Sequence, residues 1–540
     1  MVDRIVVVSG RVASGKSGLA RQLCETFEGK RYSTHEMLVR QVGGEPDRRE
    51  LQQAGERLDR TSKGSWVRDQ LSRDIYSLDG YQLAVVDSVR ILGQVEYLRE
   101  SFGRRVIHIH TFASEKTLRR RYQQRAKERK GELPNYDEMV ADPTEAAVEE
   151  LSEHADLVID TDKCLPGDVL VRAARALDLL AGSPTQTVDA IVGGEYGSEG
   201  KGNIAFYLAP EYDLLIRVGG PNAGHKVFLQ NGEAYTHHHL PSGTRAPGEA
   251  QLMIGPGNVI DVKNLLQEIA DCDVDHRRLS IDPRAMVIEK ADIRREQHLA
   301  ESIGSTKQGV GWATARRVLR GADRKMAGVR MAGDIPDLKP YLRSATDVLE
   351  DAYARGLRIM LEGTQGTGLS LYHGSYPHVT SRDTGVAGTL SEAGVAPHRL
   401  RRCILVCRTY PIRVESPSEK DSSGPMSIEL KWSEVERRAE VPRRRLEGSE
   451  RTSTTDKLRR VGEFEWDLLR RSALVNGPTD IALTFVDYLG KQNRDARRFD
   501  QLSPDALLFI EEVERVTGAR VSLVSTGFDI RPAIVDRRIW

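Results

Sequence analysis

Gly194-Glu195-Tyr196-Gly197-Ser198-Glu199-Gly200-Lys201-Gly202-Asn203 is the stretch on which the reading of this chain turns. An apolar run, Val188-Asp189-Ala190-Ile191-Val192-Gly193, precedes it, and Ile204-Ala205-Phe206-Tyr207-Leu208 follows it. The first run predicts a buried strand and the second a helix. Strand, glycine turn with one lysine, then helix is the geometry of a phosphate cradle. N–H groups at a helix N-terminus point at an anion, and glycines let the backbone approach it. The spacing is not that of the usual P-loop. That spacing occurs near the start of the chain, where Gly10-Arg11-Val12-Ala13-Ser14-Gly15-Lys16-Ser17 satisfies G-x-x-x-x-G-K-[ST] at every fixed position. The chain therefore carries two candidate phosphate sites.

At 540 residues the chain is too long for one ordinary domain. Lys+Arg and Asp+Glu both number 79, so the formal net charge is zero, which argues against nonspecific nucleic-acid binding as the main role. Apolar residues make up 39% and charged residues 29%, a globular balance. No run approaches the ~18 apolar residues of a membrane span. Met1-Val2-Asp3-Arg4 and the short run Ile5-Val6-Val7-Val8 read as a first strand, not a signal peptide. Cys24, Cys164, Cys272, Cys403 and Cys407 are scattered, and Cys403/Cys407 has no matching second ligand pair. Reduced thiols in a cytoplasmic protein are the expectation, with neither nucleic acid nor membrane as partner.

Around the first site, Ile5-Val6-Val7-Val8-Ser9 supplies the strand, and Leu19, Leu23 and Cys24 the helical periodicity that the motif needs. Gly10 and Gly15 then shape the loop, Lys16 reaches the β/γ-phosphates and Ser17 ligates Mg²⁺. A second strand, Tyr81-Gln82-Leu83-Ala84-Val85-Val86, ends at Asp87, where such a fold places its Mg²⁺-side acid; a turn or cap aspartate is the alternative. Val106-Ile107-His108-Ile109-His110 and Leu157-Val158-Ile159-Asp160 are further strands. The helix Leu118-Arg119-Arg120-Arg121-Tyr122-Gln123-Gln124-Arg125 is either a lid over phosphates or a solvated face. These features, with Tyr32-Ser33-Thr34 and Asp87-Ser88-Val89-Arg90, resemble the adenylate-kinase-like nucleoside monophosphate kinases. The resemblance implies a nucleotide kinase; a nucleotide-sensing domain stays open, and the acceptor cannot be read.

The helical pattern Val169, Leu170, Ala173, Ala176, Leu177, Leu180 stops at Ala181-Gly182-Ser183-Pro184-Thr185, a linker signal. The expected organisation is a kinase-like domain over 1–162, a short helix and linker over 163–187, and a second domain over 188–540. The fold class is α/β: two P-loop-type α/β domains with mainly parallel central sheets.

The second domain adds Gly219-Gly220-Pro221-Asn222-Ala223-Gly224-His225, His237-His238-His239-Leu240-Pro241-Ser242-Gly243, Ile303-Gly304-Ser305-Thr306-Lys307-Gln308-Gly309, Leu361-Glu362-Gly363-Thr364-Gln365-Gly366 and Tyr376-Pro377-His378-Val379-Thr380-Ser381-Arg382-Asp383. In this order they resemble adenylosuccinate synthetase over essentially all of Val188 to Trp540. The resemblance implies joining L-aspartate to C6 of a 6-oxopurine nucleoside monophosphate, after phosphorylation of O6 by GTP with Mg²⁺. It gives Gly197, Ser198, Glu199, Gly200, Lys201, Gly202 and Gly224 to the nucleoside triphosphate and makes His225 the acid histidine. Mg²⁺ falls to Ser198 and Gly224. Asn222, Ser305, Thr306, Gln365 and Thr380 fall to the monophosphate, with Arg320 reaching it across a homodimer interface; Arg316 and Arg317 compete for that register. Thr454, Thr455, Lys457 and Arg459 fall to aspartate, and Asp487, Ser525 and Gly527 to the donor base. Phe485 stands where many members have lysine, which opens the choice between GTP and ATP. His238 falls to the substrate loop, since three adjacent histidines on a strand do not converge on one ion. Arg443-Arg444-Arg445 reads as a solvated loop.

The departure that matters is Ser198, where most members of that family carry an aspartate that removes the purine N1 proton. Serine is a poor base and a neutral ligand. One reading is a crippled site, a nucleotide-sensing or regulatory protein with inherited folds. The other is a site with room for a 2-amino group, so that GMP or dGMP replaces IMP. The phage-type branch that makes 2-amino-adenylosuccinate resembles this chain in having serine there. Lys201, Asn222, His225, Gln365, Thr380 and Arg459 are all retained, which favours an active enzyme.

Overall fold

The computed structural model describes residues 4–43, 48–75, 83–128, 135–141, 143–180, 185–229, 232–303, 305–320, 328–418, 422–442, 446, 450–451, 457–527 and 533–539. The chain divides into two compact units, Met1–Gly182 and Ser183–Trp540.

In the first unit, β1 (Arg4–Ser9), β2 (Lys30–Ser33), β3 (Leu83–Asp87), β4 (Val106–Phe112) and β5 (Leu157–Asp160) form a wholly parallel sheet ordered β2-β3-β1-β4-β5. The helices are α1 (Lys16–Thr26), α2 (Thr34–Val42), α3 (Arg48–Ser62), α4 (Ser65–Ile75), α5 (Leu92–Phe102), α6 (Glu115–Glu128), α7 (Tyr136–Val140), α8 (Pro143–Glu150) and α9 (Pro166–Ala176). Ile5, Val6, Val7 and Val8 are all fully buried, as in a strand covered on both faces. Their alternation sorts them: Ile5 and Val7 meet Trp66, Val67, Leu71, Val95 and Leu98. Val6 and Val8 meet Leu19 and Leu23 of α1 and Val169 and Ala173 of α9. The helix expected at the junction therefore belongs to the first core. The linker residues Ala181–Pro184 and the strand start at Tyr81 and Gln82 lie outside the described residues.

In the second unit the strands are β6 (Val188–Gly193), β7 (Leu214–Arg217), β8 (His225–Phe228), β9 (Ala234–His237), β10 (Gln251–Ile254), β11 (Val259–Ile260), β12 (Leu279–Ile281), β13 (Met286–Val287), β14 (Ile359–Glu362), β15 (Leu400–Arg408), β16 (Ile412–Arg413), β17 (Glu429–Leu430), β18 (Arg460–Gly462), β19 (Asp480–Thr484), β20 (Arg520–Ser525) and β21 (Ile534–Asp536). Nine of them form one sheet, β12-β10-β7-β14-β6-β15-β19-β20-β21, parallel throughout except for β20–β21. The mainly parallel α/β architecture read from the sequence is the architecture found.

Both glycine loops leave the carboxyl end of the strand at which strand order reverses. The chain leaves β1 for β2 and returns through β3 to its one side and β4 to its other; it leaves β6 for β7 and returns through β14 and β15. A crevice opens at such a switch point, and ligands bind there. The sequence predicts that β19 runs to Val486, but it stops at Thr484 because Phe485 turns left-handed (φ 57).

The second loop is packed too closely for side chains. A Cβ at Gly193 would lie 2.4 Å from the Gln365 carbonyl oxygen, and one at Gly202 2.9 Å from the His225 Cβ. Gly193→Ala is therefore expected to destabilise the second unit by about 2 kcal/mol, the range for overpacking, read as a lowered urea midpoint; an unchanged midpoint contradicts the packing described.

Candidate active site

Gly200 caps α10 (Lys201–Leu208) in a left-handed conformation, φ 86 and ψ 22, and makes no side-chain capping hydrogen bond. Lys201 and Glu199 are both buried and pair, Nζ to Oε2 at 2.6 Å. Lys201 Nζ also donates to the Gly197 carbonyl at 3.2 Å. Glu199 Oε1 accepts the N–H groups of Glu195 (3.1 Å) and Gly197 (2.8 Å). The loop's own carboxylate thus occupies two of the N–H groups available to an anion, which concentrates anion-binding capacity at the α10 N-terminus. Glu195 is also buried, and burial together with the Glu199 charge raises its pKa well above the carboxylate range.

Ser198 is half-buried, and its carbonyl accepts from Arg408 Nη1 at 3.1 Å. Arg408, at the end of β15, is buried and pairs with Glu450 at 2.8 Å. Its guanidinium lies 3.9 Å from the Phe485 ring centroid, a cation–π contact. Glu450 also accepts the Tyr488 hydroxyl at 2.8 Å and lies 3.8 Å from Arg459 Nη1. Burial opposes ionisation of Glu450, but Arg408 and Arg459 outweigh it and hold its pKa below the usual range. One buried ion network therefore runs from Ser198 to Phe485.

On the other flank His225 opens β8, with Nδ1 hydrogen-bonded to Glu362 Oε1. Glu362, the last residue of β14, also takes the Ser242 N–H at 2.7 Å and the Ser242 hydroxyl. Burial pushes His225 down to about 4, with Arg217 adding to the effect. Burial raises Glu362, but His225, Arg217 and Ser242 reverse that and bring it to about 2. The pair is then neutral imidazole and carboxylate: Nδ1–H donates to Glu362, and Nε2 is buried with no partner among the described residues. That arrangement fixes the ring and leaves Nε2 as a lone-pair acceptor.

The structure brings Gln365 and Thr380 into contact, Nε2 to Oγ1 at 2.9 Å. Gln365 holds a left-handed backbone (φ 63), and its Oε1 is buried without a partner among the described residues. Asn222 is half-buried before Gly224 and His225, and His238 Nδ1 donates to the Pro221 carbonyl at 2.9 Å. Ser305 and Thr306 are half-buried in the turn before the helix Val310–Val318. Of the three competing arginines, Arg316 is buried and bonded to Asp292 at 2.7 Å, and Arg317 donates to the Pro256 carbonyl at 2.9 Å. Arg320 is exposed beside exposed Val318 and Leu319, which leaves it the arginine of the three best placed to reach outward. Lys457 pairs with Glu415 at 3.0 Å on the surface, while Arg459 is half-buried with Nη1 3.8 Å from Glu450. Thr454, Thr455 and the run Arg443–Arg445 lie outside the described residues. Asp487 is buried next to β19, and the Ser525 hydroxyl donates to the Gly527 carbonyl at 3.3 Å at the end of neighbouring β20. Thr484 Oγ1 donates to the Glu199 carbonyl at 2.6 Å and ties that end of the sheet to the glycine loop.

The family model for adenylosuccinate synthetase matches residues 190–333 and 329–494. The chain belongs to the adenylosuccinate synthetase family. The adenylosuccinate synthetase of Methanocaldococcus jannaschii is 37% identical over 357 residues, spanning 64% of this chain and 96% of that enzyme. The Pyrococcus sp. (strain ST700) enzyme is also 37% identical and is covered to 98%. Among solved structures, the cyanophage S-2L succinoaminodeoxyadenylate synthetase, bound to dGMP and to dATP as an energy donor, is 28% identical with a TM-score of 0.54, covering 65% of this chain and 96% of that one. The fully ligated adenylosuccinate synthetase of Plasmodium falciparum, 20% identical with a TM-score of 0.57, covers 65% of this chain and all of its own and shares the fold.

The second unit is thus of the adenylosuccinate synthetase ligase type. Sequence reading missed Glu362, Arg408 and Glu450. Glu362 sat inside a quoted motif, and its place as a buried carboxylate at a strand end was the available signal; Arg408 and Glu450 carry none, since their partners are distant in sequence. In the first unit Ser17 Oγ donates to Asp87 Oδ1 at 3.4 Å, and Arg31 holds Asp87 Oδ2 at 2.6 Å. Gly10 (φ 144) and Gly15 (φ 97) take the positive φ that the loop requires. Burial lowers Lys16 to about 8 against the pull of Glu145 and Asp87, and Glu145 accepts the Val12 N–H at 3.0 Å. In α6, Arg121 is committed to Thr161 at 2.9 Å and Arg119 to Asp137, while Arg120 and Arg125 are exposed.

Glu362→Gln is expected to lower ligation about 10²-fold, the scale of a mispositioned acid–base group, in a steady-state phosphate-release assay; a loss below threefold contradicts the positioning role. His225, His237 and His239 are held neutral, at about 4, 3 and 3. Their folded pKa lies below the unfolded value, so the stability that they contribute is complete above about 6.5 and is lost as pH falls from there toward 4. Urea midpoints measured between pH 7 and 4.5 should fall over that window; a flat profile rules the buried neutral histidines out.

Proposed function

We propose that residues 188–540 join L-aspartate to C6 of a purine nucleoside 5′-monophosphate, with guanylate (GMP or dGMP) as the substrate favoured over IMP, and that residues 1–162 form a nucleotide kinase. Ser198 carries the substrate reading. It places a short, uncharged side chain where the family carries aspartate, opening room for a 2-amino group and offering a hydroxyl that accepts a hydrogen bond from it. The likeness to the cyanophage enzyme, whose structure holds dGMP, supports the same reading.

The chemistry runs in two displacements. The purine O6 attacks the γ-phosphorus of the donor, whose bond to the β-bridging oxygen breaks as N1 gives up its proton to solvent water. The aspartate amine then attacks C6, loses one proton to solvent, and the C6–O6 bond breaks to release phosphate. With a proton taken up at Nε2 and Glu362 as the counter-ion at Nδ1, His225 stabilises the charge that develops on the transferred oxygens. The α10 N-terminus and Lys201 hold the phosphates. Arg459 and Lys457, with Thr454 and Thr455, take the aspartate carboxylates, and Gln365, Thr380, Asn222, Ser305 and Thr306 hold the monophosphate. A second copy supplies Arg320. Ser198 and the Gly224 carbonyl are hard, neutral oxygen donors and Ser17 with Asp87 a hydroxyl–carboxylate pair, sets that suit Mg²⁺. The ion supplies neutralisation of phosphate charge when bound. GTP or ATP is the donor.

Incubation of the purified chain with IMP, GMP or dGMP plus aspartate, GTP or ATP and Mg²⁺ should give succinylated product from GMP or dGMP faster than from IMP. Ser198→Asp should reverse that order by tenfold or more, on the scale of pocket discrimination. Product from IMP alone overturns the substrate assignment; tight nucleotide binding without phosphate release from any combination favours a sensing role. Lys16→Ala should abolish phosphoryl transfer to a monophosphate acceptor and leave succinylation intact. Joint loss of both activities would mean that the halves are not independent.

A further inference from the structure

Two residues beyond Thr380 stands Arg382, whose side chain is 9% exposed. Its Nε donates to Glu392 Oε1 at 2.7 Å, on the helix Val386–Ala393, and its Nη1 donates to the Thr364 hydroxyl. Nη2 is buried with no hydrogen-bond partner among the described residues. Two bonds thus fix the plane of the guanidinium and leave a third nitrogen over. A buried donor without a partner costs free energy, which an acceptor arriving beside it returns.

The surroundings say which acceptor. Gly219 to Asn222 follow β7, and Thr364 and Gln365 follow β14, so Arg382 enters where two strand ends meet. A Cβ at Gly219 (φ 107) would lie 2.5 Å from Arg382 Nη1 and 2.2 Å from Thr364 Oγ1, so only glycine there lets the arginine reach between the strands. A Cβ at Gly220 would lie 2.9 Å from Val310, the first residue of the helix Val310–Val318, and one at Gly311 would lie 3.9 Å from Ser381. Arg382 therefore stands on the side of the crevice that adjoins this helix, with Ser305 and Thr306 in the turn before it. Gln365 adjoins the glycine loop, its Cα 3.1 Å from where a Gly197 Cβ would lie. A monophosphate with its base beside Ser198 and Gln365 extends its phosphate toward Asn222, Ser305, Thr306 and Arg382.

Charge points the same way. A 5′-phosphate carries about two negative charges at neutral pH. Asn222, Ser305, Thr306, Gln365 and Thr380 are all uncharged, and Arg320 was assigned to a second copy. The neighbouring guanidinium, Arg217, donates to the Ala223 carbonyl at 2.7 Å and lies 3.6 Å from Glu362. We propose that Arg382 binds the substrate phosphate of the ligase site, Nη2 donating to a 5′-phosphate oxygen of the purine monophosphate. The proposal rests on the ligase reading above and gives the protomer a phosphate-binding cation of its own.

The test uses the full-length chain and succinylation as its readout, so that only the ligase site reports. The KM for the monophosphate is compared with the Ki of its nucleoside: guanosine against GMP, deoxyguanosine against dGMP, inosine against IMP. Arg382→Met combined with Glu392→Gln removes both charges and strands neither. It should raise the monophosphate KM about 10- to 100-fold, the scale of one charge-assisted hydrogen bond, and leave the nucleoside Ki and the KM for aspartate within about threefold. Arg382→Lys keeps a cation against Glu392 but loses the fork, and should show the same pattern at smaller size. Glu392→Gln alone breaks the pair and leaves the arginine, so its monophosphate KM should stay near that of the wild type. A nucleoside Ki that rises as much as the monophosphate KM overturns the proposal, as does a monophosphate KM unmoved by both arginine variants. So does Glu392→Gln matching the double variant, since that marks a tie that only holds the fold. A wild-type chain that succinylates none of the three monophosphates strikes the ligase reading and this proposal with it; product with an unmoved KM strikes only the role of Arg382.

Discussion

The buried pair Glu199–Lys201 is the interaction on which the second unit's loop depends. Two ions taken out of water cost several kcal/mol each unless every lone pair and proton finds a partner. Here most of the remaining capacity is used: Glu199 takes two loop N–H groups, and Lys201 donates a second hydrogen bond to the Gly197 carbonyl. The pair fixes the path of the backbone from Gly193 to α10, and the rest follows from that path. Gly366 must lack a side chain, because a Cβ there would lie 2.3 Å from Glu199 Oε1. β14 can then deliver Gln365 beside the loop and Glu362 beneath His225. The loop, the His225–Glu362 pair and Gln365 thus take their places around one closed ion pair at a sheet switch point.

Much of this was legible in the sequence because it is local. The P-loop at Gly10–Ser17, the glycine stretch, the strands that feed them and the parallel sheets all show in residue types a few positions apart. What was not legible is made by partners far apart in the chain. Glu362 meets His225 across 137 residues, and Arg408 meets the Ser198 carbonyl across 210. No spacing rule links such positions; the sheet register does, by bringing the ends of β14, β15 and β6 side by side. The early end of β19 had a similar cause. Thr484 Oγ1 bonds the Glu199 carbonyl, and Phe485 then turns to stack beneath Arg408, so tertiary contacts overrode a run with good strand propensity. The helix Pro166–Ala176 was assigned to the junction because its periodicity is legible but its partners, Leu19 and Leu23, are not.

The two units use one topological device with different electrostatics. In each, a glycine in left-handed conformation caps the helix whose first residue is the lysine, Gly15 before Lys16 and Gly200 before Lys201. Lys16 donates to a loop carbonyl, feels Glu145 and Asp87 only at a distance, and is lowered to about 8 by burial. Lys201 is clamped to a carboxylate at 2.6 Å. A lysine of the first kind keeps its charge for an incoming phosphate, whereas one of the second is partly offset by its partner and also holds the loop in shape. In the reading proposed above, backbone N–H groups at the α10 N-terminus share the phosphates with Lys201, a term that is insensitive to side-chain substitution.

This division of labour bears on Ser198. The loop already contains Glu195 and Glu199, and burial together with the charge of Glu199 raises the pKa of Glu195. An aspartate at position 198 would add a carboxylate to that crowded stretch. Serine removes that repulsion and leaves the loop with its one closed pair. It also frees Arg408, which touches position 198 only through the backbone carbonyl, from answering to a side chain there. The loop's shape therefore does not depend on what stands at position 198. That independence is why the substitution alters the chemistry offered to the base, an uncharged hydroxyl with space around it, while the cradle that carries it stays as it is.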